Sequence, residues 1–233
     1  MSMTAKMFKA IVLSLTIMGA SMQAVAFGGG ASWKEEVLLH DGGKLIVERS
    51  QVYGGYAEPA SRERSLAEEQ WVFQIPGGGQ RVVWKSDFRR PPEGDSLMLL
   101  QLNFLGGVPY VATSPAGCLA YNHWGRPNPP YVFFKYDGKS WQRISLAEFP
   151  ALFKESNVAV GRPDPDHRTG LLSVETIKQE NRLLEPYLRH IIREPITGGP
   201  TTCEKRVHYK CGWFGMRPDG TFNKDFADRM CDR

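Results

Sequence analysis

Apolar runs and Gly-containing turns alternate through the first two thirds of the chain. Each unit has an extended run, a turn with Asp-Gly or Gly-Gly, and a second extended run. Such dipeptides suit the left-handed backbone of tight hairpin loops, and the flanking Val, Ile, Phe, Tyr and Trp favour strands. The pattern predicts four β-hairpins, at residues 35–50, 71–85, 99–114 and 131–146.

Two segments interrupt the hairpins. Residues 54–70 are polar and predict a loop with a helical turn, and residues 115–130 hold four Pro and two Gly and predict an irregular loop. The hairpins share little sequence and are unevenly spaced, which disfavours a regular repeat. An antiparallel sheet, a sandwich, a barrel and a partial propeller therefore all remain open.

The pattern changes after residue 147. Ser173 is a typical N-cap, and Pro186 should kink the helix that follows or start a second one. The apolar residues of that helix recur at helical spacing: Val174, Ile177, Leu184, Leu188 and Ile191. The tail predicts a short hairpin around Asp219-Gly220. The predicted fold class is α+β, mainly antiparallel β, with a C-terminal helix and a disulfide-bonded tail.

Residues 1–26 have the features of a cleavable signal peptide. Lys6 and Lys9 precede an uncharged run, and Ala24-Val25-Ala26 places small residues at the cleavage site. The run is shorter than the roughly 20 apolar residues of a spanning helix. We therefore expect cleavage after Ala26, a periplasmic or secreted mature protein and no membrane anchor.

Cleavage of the signal peptide changes the length and the net charge of the mature protein. It leaves 207 of 233 residues and lowers the formal net charge from +4 to +2, because the signal holds two Lys and no acid. Charges of both signs are mixed, so nothing indicates nucleic acid as a partner. We expect a hairpin-rich domain at 27–147 and, packed on it, a segment at 148–233 with the helix and the tail.

Export makes the four cysteines candidates for two disulfides. Three of them lie in the last 31 residues, so at least one bridge falls there if all are paired. The remaining one then ties the tail to the middle of the chain. Their spacing does not match a zinc site. The cysteines are Cys118, Cys203, Cys211 and Cys231.

Binding chemistry is densest between residues 118 and 130. Amide, imidazole, guanidinium and aromatic groups lie close together there, and loops held on a rigid sheet often bind ligands. Aromatic and Arg side chains are also enriched at interface hot spots. The alternative is a structural loop whose side chains cover the sheet and satisfy backbone groups. The candidate residues are Tyr121, Asn122, His123, Trp124, Arg126 and Asn128.

Recognisable catalytic motifs are missing from the sequence. It has no nucleophile elbow, Walker loop, HExxH, EF-hand or dinucleotide fingerprint. Asp164, Asp166 and His167 are better explained as a solvated connector than as a metal site. We predict no cofactor and no metal.

Three stretches carry a resemblance: WKEEVLLHDGGKLIVERS, VPYVATSPAGC and GRPNPPYVFFKYDGKSWQRI. They look like parts of uncharacterised exported proteins from proteobacteria, over residues 33–147. The resemblance implies a Gram-negative periplasmic or secreted setting and transfers no site residue.

Three functions follow as hypotheses. The first is a non-enzymatic periplasmic interaction protein with a protein partner, such as an immunity protein or an enzyme inhibitor. The second is a hydrolase for envelope glycans or lipids, which would need His and carboxylate side chains clustered in a cleft, for example His123 or His208 near an Asp or Glu. The third is an assembly factor of an envelope complex.

Overall fold

The computed structural model describes residues 30–54 and 66–232. All four predicted hairpins are confirmed: β1–β2, β3–β4, β5–β6 and β7–β8 are antiparallel pairs. The turn between β5 and β6 needs glycine, since Gly106 and Gly107 have φ of 59° and 79°. The elements are β1 (Gly30–Leu38), β2 (Lys44–Tyr53), β3 (Leu66–Gln74), β4 (Arg81–Asp87), β5 (Leu97–Leu105), β6 (Val108–Pro115), α1 (Gly117–His123), β7 (Val132–Tyr136) and β8 (Trp141–Ile144).

The strands form two sheets that pack as a sandwich. The first sheet has the order β4-β3-β2-β1 with the short strand β9 (Leu171–Leu172) added parallel to β1, and the second has the order β5-β6-β7-β8. Aromatic pairs join their facing sides: the rings of Trp84 and Phe134 lie 4.8 Å apart, and those of Phe73 and Phe104 lie 5.8 Å apart. This common core selects the sandwich among the predicted arrangements.

The outer face of the second sheet is also covered. Residues 146–192, here called the C-terminal layer, cover it with Phe149, Phe153 and Ile191, which are buried on Phe133 and Leu100. The same layer reaches the first sheet through β9 and the helix that follows it. The layer holds α2 (Val174–Asn181) and α3 (Pro186–Arg189). Ser173 accepts a hydrogen bond from the Thr176 N–H, which confirms the predicted cap, and Pro186 starts the second helix.

The tail is a small separate sheet with a helix. β10 (Arg206–Tyr209) pairs with β11 (Gly212–Gly215), and α4 (Lys224–Cys231) follows. The hairpin predicted around Asp219-Gly220 is wrong, because the hairpin turn is Lys210-Cys211 and Asp219-Gly220 makes only a tight turn. Both predicted kinds of bridge are confirmed, one within the tail (Cys211–Cys231) and one from Cys118 to Cys203.

The predictions for the two segments between the hairpins agree only partly with the structure. Residues 115–130 were expected to be irregular, but α1 fits between Gly117 and Gly125 because the four Pro of the segment lie outside it. Residues 66–70 belong to β3, not to a loop. The predicted signal peptide and residues 55–65 lie outside the described residues. In the part of the chain that is described, no helix has the length and apolarity needed to cross a membrane.

Candidate functional site

A cleft of about 230 Å³ opens where the C-terminal layer meets the sandwich. The end of β1 and its turn (residues 38–40) form one side, and residues 152–157 with α2 form the other. Gln101 and Asn103 of β5 lie between them. The cleft therefore joins three parts of the chain that are far apart in sequence.

A β-bulge turns Gln101 towards the C-terminal layer. Leu99 pairs with Thr113 and Gln101 pairs with Ala112, so Leu100 is the extra residue. After the bulge, Leu102 and Phe104 belong to the core between the sheets. Gln101 and Asn103 alternate with them and face the other way.

Gln101 carries a buried acceptor without a partner. The residue is 1% exposed, and its Nε2 donates to the Glu155 carbonyl at 2.6 Å. Its Oε1 makes no hydrogen bond. The amide cannot turn round, because its oxygen would then oppose the carbonyl oxygen. A buried acceptor left unpaired costs about 1–3 kcal/mol, which a ligand that donates a hydrogen bond would recover.

Asn103 fixes His40 at the mouth of the cleft. Its Oδ1 accepts from the His40 backbone N–H at 2.8 Å and lies 3.4 Å from His40 Nδ1. This contact favours the tautomer with the proton on Nδ1, so Nε2 is an acceptor. The imidazole packs edge-on against Phe153 at 5.0 Å. His40 therefore contributes a second acceptor and part of the apolar wall.

Asn157 holds the opposite wall in place. Its side chain accepts from the Leu102 N–H at 3.0 Å and donates to the Leu102 carbonyl at 2.7 Å. It also donates to the Leu38 carbonyl at 2.9 Å. One side chain thus ties β5, β1 and the C-terminal layer together beside the cleft.

The mouth of the cleft is charged, and its lining is polar and apolar in similar parts. Lys154, Glu155 and Lys178 are exposed there, which gives the lining a formal charge of +1 with His40 neutral. Phe153 and Ile177 are buried, while Leu152 is 44% exposed. A ligand would meet apolar side chains and one or two acceptors inside, and net positive charge at the mouth.

The predicted binding residues between 118 and 130 make contacts within the chain. Asn122 donates to the Glu204 carbonyl at 2.9 Å, and Arg126 donates to the Cys203 carbonyl at 2.9 Å. Tyr121 is 2% exposed and lies beneath the Arg126 guanidinium. These three side chains therefore fix the start of the tail beside the Cys118–Cys203 bridge.

The other predicted residues of the segment are also placed within the fold. Trp124 donates from Nε1 to the Asp95 carbonyl at 2.7 Å, and Asn128 exchanges hydrogen bonds with the backbone of Ile196. His123 is exposed and packs edge-on against Trp213 at 6.4 Å. The six residues do not line the cleft, and partner binding by this segment stays a prediction.

A buried ion cluster that the sequence analysis missed lies inside the first sheet. Arg49 is 2% exposed and contacts Glu35 at 3.0 Å and Glu69 at 2.7 Å. Its guanidinium lies between the rings of Trp33 and Trp71. The sequence did hold a sign of this cluster: the charged residues occupy the strand positions that face inwards, where Trp and Val otherwise lie.

The cluster holds the C-terminal layer on the first sheet. Arg49 also donates to the carbonyls of Ala159 and Gly161, and Glu35 accepts from the Ala159 N–H at 3.2 Å. Burial raises the pKa of Glu35, although Arg49 opposes the shift. Arg49, Glu35 and Glu69 all have partners, so the ion cluster is structural, although the buried Nε1 of Trp71 beside it has none.

The described residues show little catalytic chemistry. His167 Nδ1 contacts Glu180 Oε1 on the surface, and this hydrogen bond raises the pKa of His167. No described Ser, Thr or Cys hydrogen-bonds to that ring. Within residues 30–54 and 66–232, no three His, Cys, Asp or Glu side chains are grouped to hold a metal ion.

Comparison with protein-family models, with curated proteins and with solved structures gave no match. The residues of this chain alone therefore carry the functional argument.

Proposed function

We propose that the chain is an exported binding protein that holds a protein partner through the cleft. The observation that carries the proposal is the unpaired Oε1 of Gln101, buried beside a cleft whose lining is polar and apolar in similar parts. Buried polar groups in proteins nearly always have partners. Five other buried side-chain atoms of the described residues are also unpaired, but among the six residues only Gln101 lines the cleft, which makes it the candidate ligand contact. The proposal keeps the interaction role expected from the sequence and moves the contact to the cleft.

The export half of the proposal rests on the signal-peptide pattern of residues 1–26. Two disulfides with no free cysteine among the described residues fit an oxidising compartment such as the periplasm.

Binding is favoured over catalysis by where the titratable groups lie. The hydrolase considered from the sequence would bring a His and a carboxylate together in a cleft. The His167–Glu180 pair lies at the surface, where the His167 side chain is 44% exposed, and neither residue lines the cleft. At the cleft, which Glu155 also lines, the His40 ring contacts Asn103, an amide.

Site-specific photocrosslinking in the periplasm tests the proposal. We would place p-benzoylphenylalanine at Leu152, which lines the cleft and is 44% exposed. The matched control carries the same group at Leu183, which is 86% exposed and outside the cleft. Adducts would be identified by mass spectrometry after purification of the oxidised protein.

We expect a discrete protein adduct from position 152 that position 183 does not give. The Gln101→Met substitution should reduce its yield. No adduct at position 152, or the same set of adducts at both positions, would count against a partner at the cleft. An immunity protein or inhibitor would give an enzyme as the adduct, and an assembly factor would give a component of an envelope complex.

A further inference from the structure

The volume and the lining of the cleft restrict the chemical groups that its ligand can have. On the basis of the proposed function, we infer that the cleft takes a single aromatic side chain with a hydrogen-bond donor, a tyrosine or tryptophan of the protein partner. The volume of about 230 Å³ lies below the roughly 300–1,000 Å³ of pockets for drug-sized ligands. It suits one large side chain.

The ligand group needs an apolar body and one donor at its end. Phe153, Leu39 and Ile177 provide the apolar lining, and all three are at most 8% exposed. The unpaired Gln101 Oε1 has almost no accessible surface, so the ligand's donor reaches it only when a neighbouring side chain moves. The atom can then accept a hydrogen bond and offers none. Tyrosine and tryptophan combine a large apolar ring with a single O–H or N–H, which matches this arrangement.

Other donor side chains fit less well. A lysine or arginine would bring a positive charge past Lys154 and Lys178 at the mouth, which is unfavourable. Serine and threonine have donors but would leave most of the volume empty. Phenylalanine and leucine would fill it and keep Gln101 Oε1 unpaired, at the cost of a buried acceptor.

Small analogues of the side chains distinguish the contribution of the hydrogen-bond donor to affinity from that of the aromatic ring. We would titrate the oxidised, ¹⁵N-labelled protein with p-cresol, 3-methylindole and toluene and follow the Gln101 side-chain amide signals by NMR. Binding in about the millimolar range is expected for ligands of this size. The two donors should bind about tenfold more tightly than toluene, since one buried hydrogen bond is at stake.

Three variants assign the preference to Gln101. Gln101→Met removes the acceptor and should abolish the p-cresol preference while toluene still binds. Leu152→Ala trims the wall and should weaken both ligands while the preference remains. Gln74→Met makes the same change at an exposed position of β3 and should alter neither. An equal affinity for p-cresol and toluene in the unmodified protein, or a preference that survives Gln101→Met, would overturn the inference.

Two further ligands identify the source of the side chain. N-acetyltyrosinamide mimics a tyrosine within a polypeptide, and free tyrosine carries both terminal charges. Binding of the capped form at least as tightly as p-cresol supports a partner's side chain, whereas binding of free tyrosine alone would overturn it. If position 152 crosslinks to a partner but the analogues show no donor preference, the binding function stands and only the aromatic inference fails.

Discussion

Replacement of Arg49 by methionine tests how the C-terminal layer is held on the sandwich. The change leaves Glu35 and Glu69 buried at 0% and 3% exposure without their cation. It also removes donors from the carbonyls of Ala159 and Gly161. Loss of one partner from a buried ion pair costs about 3–5 kcal/mol, and the two carbonyls place Arg49→Met at the upper end, about 5 kcal/mol.

Urea unfolding followed by tryptophan fluorescence measures this cost, because Trp33 and Trp71 flank the guanidinium at 4.9 and 4.2 Å. Burial raises the pKa of Glu35, and the loss of Arg49 raises it further. An acid whose pKa is higher in the folded than in the unfolded protein destabilises the fold as the pH rises. The deficit of Arg49→Met should therefore shrink as the pH falls from 7 towards about 4.5.

Two comparisons separate charge from packing. Adding Glu35→Gln and Glu69→Gln to Arg49→Met should recover about half of the loss, since the remaining buried groups are neutral. Lys34→Met breaks an ion pair with Glu48 whose side chains are both more than half exposed, and should change stability little. A cost below about 1 kcal/mol for Arg49→Met, or a triple variant less stable than the single one, would refute the reasoning.

Three further outcomes follow from the contacts. Tyr131→Phe should cost about 1–3 kcal/mol at pH 7, because the hydroxyl donates to two carbonyls of the C-terminal layer. Burial raises the pKa of Tyr131 to about 12, so the unmodified protein should lose about 2 kcal/mol of stability between about pH 10 and 12. Urea denaturation should therefore show the free energies of unfolding of the two proteins converging over that range. Arg126→Ala should lower stability by about 1–2 kcal/mol in calorimetry, and an unchanged melting temperature would argue against its role in holding the tail. Removal of the Cys118–Cys203 bridge, with a sequence separation of 85, should cost about 4–5 kcal/mol, against about 3 kcal/mol for the tail bridge with a separation of 20; equal losses would contradict the loop-entropy explanation.

The hairpins were predictable because their signals are local. Asp-Gly and Gly-Gly turns between β-branched and aromatic runs specify a hairpin without reference to the rest of the chain. The cap at Ser173 is local in the same way. The irregular prediction for residues 115–130 failed because Pro and Gly were counted over the whole segment. Residues 118–123 contain neither, which is enough for α1.

The cleft was not predictable, because it depends on contacts between distant residues. Gln101 faces it only after a bulge at Leu100, and nothing in the run LMLLQLNFL marks that position. The orientation of its amide is set by the Glu155 carbonyl, 54 residues later. Arg49 is different, because strand alternation predicts that its side chain faces inwards, although it does not predict which residues it contacts. A polar residue at a strand position where the alternation predicts an apolar one is as good an indicator of a buried polar cluster or site as aromatic residues clustered in a loop.

The claim that Gln101 is the acceptor of a ligand site is tested most directly by a crystal structure of the oxidised protein with N-acetyltyrosinamide. We expect the phenol ring between Phe153 and Ile177, with its oxygen about 2.7–2.8 Å from Gln101 Oε1. A ring bound elsewhere, or one in the cleft whose hydroxyl does not reach Gln101, would contradict the account.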